Sequence, residues 1–180
     1  MSLIFNGIIL RVTPYKERAE ILLLFTTELG LVSAIVRESK KTPTRWVETF
    51  VVVRGKFKER KGNFFQIEEL DGTHWYLGLR EKPSALRMLN SIVKSTAKKV
   101  EMESPAPLLY KLFLKIVEAL EKGSDPETME GLFLVKLALH EGILSDLGEP
   151  WIAQAAQARS FSEVPIIPKN LVFALNRLFC

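Results

Sequence analysis

Cations bunched into one stretch, with aromatic rings standing among them, are the residues of this sequence best placed to do chemistry. Residues 37 to 61 hold 9 Lys or Arg against 3 Asp or Glu, the footprint expected for a polyanion partner. Arg37, Lys40, Lys41 and Arg45 lie on or beside one polar loop, Arg60 and Lys61 flank the turn residues Gly62-Asn63, and Arg54, Lys56 and Lys58 alternate with Gly55 and Phe57. On a strand that alternation puts the three cations on one face, and a barrel could gather all of these charges along one groove. Trp46, Phe57, Phe64 and Phe65 supply rings nearby. A single-strand groove needs this combination, because cations track phosphates while ring faces stack bases, at about 1–3 kcal/mol per base. Trp46, beside Arg45 in a polar loop, is the better stacking residue; Phe57 and at least one of Phe64 and Phe65 belong to the core.

Catalytic constellations are missing. His74 and His140 have no spacing that suggests a metal site, and neither a nucleophile elbow nor a Gly-rich phosphate loop occurs. Glu68 and Glu69 are adjacent on a strand, so they point to opposite faces and cannot share acid–base work. The single cysteine, Cys180, excludes paired-cysteine zinc motifs and intramolecular disulfides. No metal or other cofactor is expected, and a reducing, cytoplasmic compartment fits.

The elements that must position the cations follow from the apolar pattern. With 180 residues, 47% apolar and 26% charged, the chain is expected to fold without metal or disulfide. Apolar runs are too short to span a membrane, and no signal-peptide pattern is present. Residues 1–80 carry 13 basic and 9 acidic residues and residues 81–180 carry 12 of each, so the first segment holds the whole net charge of +4. The first part reads as strands at Ile8–Val12, Ile21–Thr27, Leu31–Arg37, Val47–Lys58 and Phe64–Leu70. Turns are expected at Glu28-Leu29-Gly30, at Gly62-Asn63 and at Asp71-Gly72. After Pro83 the apolar period changes to 3.6. Helices are expected from a Ser84 cap, from Leu108 to a stop at Gly123, from an Asp125-Pro126 cap to Gly142, and over Trp151–Arg159 and Asn170–Phe179. The helix with Leu132, Phe133, Leu137 and Leu139 has few polar positions and should be central. The fold class is therefore α+β: a five-stranded barrel over residues 1–80, then an all-helical domain over residues 81–180.

A resemblance adds to this. Gly7-Ile-Ile-Leu10, Pro14-Tyr-Lys-Glu-Arg18, Ile21-Leu-Leu-Leu-Phe-Thr26, Gly30 and Val32-Ser-Ala-Ile-Val-Arg37 followed by Lys40-Lys41 resemble the N-terminal region of the RecO recombination-mediator family. Phe133, Leu137 and Gly142 are similar to that family's helical segment. The resemblance implies an OB-fold barrel followed by a helical domain in a cytoplasmic DNA-repair protein. It also implies binding of single- and double-stranded DNA, strand annealing, contact with the C-terminal tail of single-strand-binding protein, pairing with RecR and, indirectly, loading of RecA. The tail would need an apolar pocket beside a cation, for which Lys136 and Lys115, each interrupting an apolar helix, are candidates. Two departures stand out: Glu38 follows Arg37 where a small residue is usual, and the cysteine pairs of a zinc knuckle are missing. Residues 143–168 replace that insertion with a shorter segment. Two other classes stay open: a protein-interaction module whose basic surface meets an acidic peptide, and a small enzyme whose site forms only in the fold.

Overall fold

The computed structural model describes residues 2–39, 44–144, 167 and 169–179. Among these residues five strands, β1 (Leu3–Pro14), β2 (Ala19–Thr26), β3 (Gly30–Arg37), β4 (Val51–Lys61) and β5 (Phe64–Trp75), are followed by four helices. These are α1 (Pro83–Lys99), α2 (Pro107–Glu121), α3 (Pro126–His140) and α4 (Lys169–Phe179). The expected barrel-then-helices architecture is the observed one. The expected helix at Trp151–Arg159 and most of the segment 143–168 lie outside the described residues.

The strands close in the order β1-β2-β3-β5-β4, all pairs antiparallel except β3 with β5. Closure works because β1 serves two neighbours. Its first half pairs with β4 and its second half with β2, with a register shift between Ile9 and Arg11 where it bends. Alternate residues fill the interior: Phe5 and Ile9 from β1, Leu22 and Leu24 from β2, Val32, Ala34 and Val36 from β3, Val53 and Phe57 from β4. Phe57 stacks on Phe5, ring centroids 4.1 Å apart, and meets Phe65 at 4.7 Å. Gly55 makes room for that stack, since a Cβ there would lie 2.5 Å from the Phe5 ring and 2.7 Å from the Glu69 carbonyl oxygen.

Three expectations are corrected. The strand expected from Val47 begins at Val51, because Thr44–Trp46 forms a short 3₁₀ turn and Phe50 takes φ +63° while its N–H donates to the Ile9 carbonyl at 2.7 Å. Asp71-Gly72 is no turn. A register shift beside Thr73 lets β5 run through the pair to Trp75, and Gly72 is needed because a Cβ would meet the Trp75 ring at 2.3 Å. Ser84 is not a helix cap: Pro83 occupies the first turn of α1, and Lys82, the residue before it, makes no side-chain cap. Instead the Lys82 ammonium donates to the carbonyls of Leu120 (3.3 Å) and Glu121 at the end of α2, where orphan acceptors need donors.

The chain divides into two compact units: Met1–Tyr76 with Glu101–Tyr110, and Leu77–Val100 with Lys111–Cys180. In the first, Leu31 bridges to Met102, the Glu103 N–H donates to the Leu31 carbonyl at 2.8 Å, and Phe25 meets Tyr110 edge to face at 5.5 Å. Burial, with the charges of Glu28 and Tyr76, pushes the Tyr110 hydroxyl up to about 12. In the second, Asp125 caps α3 by accepting from the Thr128 N–H at 2.8 Å. Leu132, Phe133, Leu134, Val135, Leu137 and Ala138 are all buried, as the apolar run requires, and Phe133 meets Phe113 of α2 edge to face.

Candidate nucleic-acid interface

The cations are set by strand parity. On β4, Arg54 and Lys58 are exposed and Lys56 half-buried, while Gly55 and Phe57 face the interior, as alternation dictates. The residues opposite them come from β5, where Arg54 faces Asp71 and Lys56 faces Glu69. A bulge inserts Glu68 beside Glu69, and Glu68 pairs with the Lys56 ammonium at 2.9 Å. The hydrogen bond to Glu68 and its charge, with Glu69 adding to them, hold Lys56 above the usual lysine range. The expectation that Glu68 and Glu69 act on opposite faces is therefore corrected, because the extra residue of a bulge breaks the alternation. Charge counted along the chain missed this acidic strip across the ladder.

Arg37 ends β3, exposed, and β5 separates β3 from β4. One strand, β5, therefore lies between Arg37 and the β4 cations. Arg45 is exposed. Trp46 is half-buried: its ring packs on the barrel core and lies edge to face with Trp75 at 6.1 Å. Phe57 is core, 2% exposed, and Phe65 packs against that core while staying half-exposed. Lys40 and Lys41 lie outside the described residues, as do the side chains of Arg60 and Lys61. The hairpin those two flank is as expected, with Lys61 facing Phe64 and Gly62 taking φ +64°.

In the helical unit, Lys136 is half-buried between Val135 and Leu137, and Lys115 is exposed on α2. Burial, then the charge of Lys115, pulls the Lys136 ammonium below its ordinary value. The two sequence candidates are therefore electrostatic neighbours.

Residues 1–75 match the family model described as recombination protein O N terminal. The chain is 25% identical over 156 residues to DNA repair protein RecO of Exiguobacterium sibiricum, covering 85% of this chain and 62% of that protein. It is 29% identical over 136 residues to that of Bacillus cereus (73% and 54%) and 24% over 134 residues to that of Listeria monocytogenes (73% and 52%). The first 75 residues, which hold the barrel, are thus similar to the N-terminal region of RecO proteins. The chain spans about half to three fifths of the length of these RecO relatives.

The RecO-like motifs now have physical roles. Gly7 lets β1 lie close against β2, since a Cβ would sit 2.6 Å from the Phe25 carbonyl oxygen. Thr26 closes the β2–β3 turn, its hydroxyl donating to the Gly30 carbonyl at 3.0 Å and accepting from the Leu29 N–H at 3.1 Å. Glu28 in that turn accepts from the Asn6 N–H at 3.0 Å and from the Asn6 side-chain amide at 3.1 Å. Burial alone would raise the Glu28 carboxyl; hydrogen bonds from Thr27 and Asn6 outweigh it and hold the group below the ordinary value. These residues build the barrel, whereas Lys16, Arg18 and Arg37 are the described motif positions that put cations on its surface. Among the described residues no helix is long and apolar enough to cross a membrane.

Proposed function

We propose that this chain is a DNA-binding recombination mediator acting in cytoplasmic DNA repair, without enzymatic activity of its own. The observation that carries the reading is that residues 1–75, which match the family model, hold 12 basic and 9 acidic residues, three of the chain's four net positive charges. Residues 1–80 form the DNA-binding domain and residues 81–180 the domain for partner proteins. Arg37, Lys40, Lys41, Arg45, Trp46, Arg54, Lys56, Lys58, Arg60 and Lys61 are the residues that meet DNA in this reading. These cations suit annealing, in which two phosphate backbones must approach each other with their charge neutralised. Single- and double-stranded DNA are both substrates in this reading.

Labelled oligo-dT titrated at several salt concentrations tests it. With about four to six phosphates neutralised, log affinity against log salt should have a slope of roughly −3 to −4. A flat response would sink the reading in favour of a surface for acidic peptides. Reversing Lys40, Lys41 and Arg45 together should weaken binding to every sequence alike, since phosphate contacts carry no base information.

The partners in this reading are the tail of single-strand-binding protein, RecR and, indirectly, RecA. Support for the tail comes from the proximity of Lys115 and Lys136 on two apolar helices, where an anion would relieve their repulsion. Lys136→Glu and Lys115→Glu should each weaken a labelled tail peptide by about tenfold, the range of a charge-assisted hydrogen bond. Unchanged affinity in both removes these residues from the site, and no binding by the wild type removes the partner.

A further inference from the structure

Residues 81–180 are neutral as a whole, but that neutrality hides a segregation. Helix α1 carries Arg87, Lys94, Lys98 and Lys99 and no acid, whereas residues 101–130 carry 3 basic and 7 acidic residues. The four cations of α1 divide by side. Lys99 is half-buried, its ammonium 5.7 Å from the centre of the Phe179 ring of α4, and belongs to the packing of the unit. Arg87, Lys94 and Lys98 are exposed. With about 3.6 residues per turn and a rise of about 1.5 Å per residue, these three point within about 40° of one another and form a stripe about 16 Å long. The far side of the helix, with Ala85, Leu89, Ile92, Val93 and Thr96, is buried, so the stripe stands on an anchored element.

The side chains between the cations narrow the kind of partner. Ser84 and Asn90 are exposed and Ser91 half-exposed, all with hydrogen-bonding groups, and no ring or large apolar side chain stands among them. A helix lying on a membrane needs an exposed apolar face, and a bound peptide needs an apolar anchor; the stripe supplies neither. Among the described residues, Arg87 and Lys94 are in no ion pair. Cations flanked by hydroxyl and amide donors suit phosphate oxygens. Without a ring to stack on, the bases of a single strand gain nothing here. A duplex presents one charge per about 1.7 Å of its axis, and its grooves, about 6 and 12 Å wide, have rims that a stripe of this length reaches.

We propose that the Arg87, Lys94 and Lys98 stripe of α1 is a site for the phosphate backbone of duplex DNA. This rests on the DNA-binding reading above and extends it to the helical unit, where charge counted by halves of the chain shows no excess.

A labelled duplex of mixed sequence and labelled oligo-dT, each titrated with the full chain at several salt concentrations, decide the matter. Arg87→Gln with Lys94→Gln should weaken the duplex roughly ten- to thirtyfold at physiological salt and flatten its salt slope by about 1.8, while oligo-dT changes by less than about twofold. The variant should melt with the wild type, because glutamine forms helix about as well as lysine and arginine. Arg87→Lys with Lys94→Arg keeps both charges and should bind the duplex as the wild type does. Lys111 and Lys122 are exposed elsewhere in the same unit; Lys111→Gln with Lys122→Gln removes equal charge and should leave duplex affinity within about twofold. Wild-type duplex affinity and slope in Arg87→Gln with Lys94→Gln, a loss matched by the Lys111 and Lys122 control, or an equal loss for oligo-dT would each overturn the proposal and leave the DNA reading standing. Loss of a labelled poly-glutamate peptide in that variant, with the duplex still bound, would overturn it in favour of an acidic protein. Failure of the wild type to bind either DNA would overturn both.

Discussion

Gly30→Ala should cost the barrel about 3 kcal/mol or more, seen as a lowered midpoint in urea unfolding. Gly30 opens β3 at φ +67°, and a Cβ there would lie 1.9 Å from the Ser104 carbonyl oxygen and 2.8 Å from its carbon. The left-handed backbone alone accounts for about 1 kcal/mol. The remainder arises because both obstructing atoms are main chain and cannot swing aside as a side chain would. To admit the methyl, the segment at Ser104 must lift away, taking with it the Leu31–Met102 bridge and the bond from the Glu103 N–H. Gly62→Ala is the control: its φ is +64° with nothing within 4 Å of a new Cβ, so it should show only the backbone penalty. Equal losses in the two variants would refute the close-approach account.

Phe57→Ala should destabilise the barrel by about 3–5 kcal/mol, as expected for a buried aromatic removed from a packed interior. The ring is 2% exposed and sits between Phe5 and Phe65, so truncation leaves a cavity that two rigid neighbours cannot fill. Phe57→Leu should keep most of the stability. Under conditions where Phe57→Leu stays folded, its affinity for oligo-dT should equal that of the wild type, because the side chain faces away from Lys56 and Lys58. A selective loss of DNA affinity with stability unchanged would show that the ring stacks on bases after all.

Local chemistry made much of this fold legible. Alternation located the middle of every strand, Gly62-Asn63 marked the hairpin, and Asp125-Pro126 marked the start of the buried helix. Failures came where distant chain segments decide the outcome. Asp71-Gly72 reads as a turn by residue type, but pairing with Val53 and Arg54 draws it into the ladder, and Trp75 needs the space above Gly72. Pro105 and Pro107 read as a break between helices, and no local signal reveals that the residues around them pair with β3. The same holds for the candidate site. Parity identified the exposed cations of β4, whereas the carboxylates of Glu68, Glu69 and Asp71 meet them only once β5 is laid alongside.

The return of residues 101–110 to the barrel bears on how the chain folds as it is made. Leu31 and Phe25 acquire their cover from residues about 70 to 85 positions later, with the whole of α1 synthesised in between. Closing so long a loop is slow relative to forming hairpins. The five strands can therefore pair on the emerging chain while one patch of β2 and β3 is still bare. At about 5–20 residues per second, that patch waits on the order of seconds for residues 102–110 to leave the ribosome, an interval in which a chaperone or a second nascent chain could occupy it.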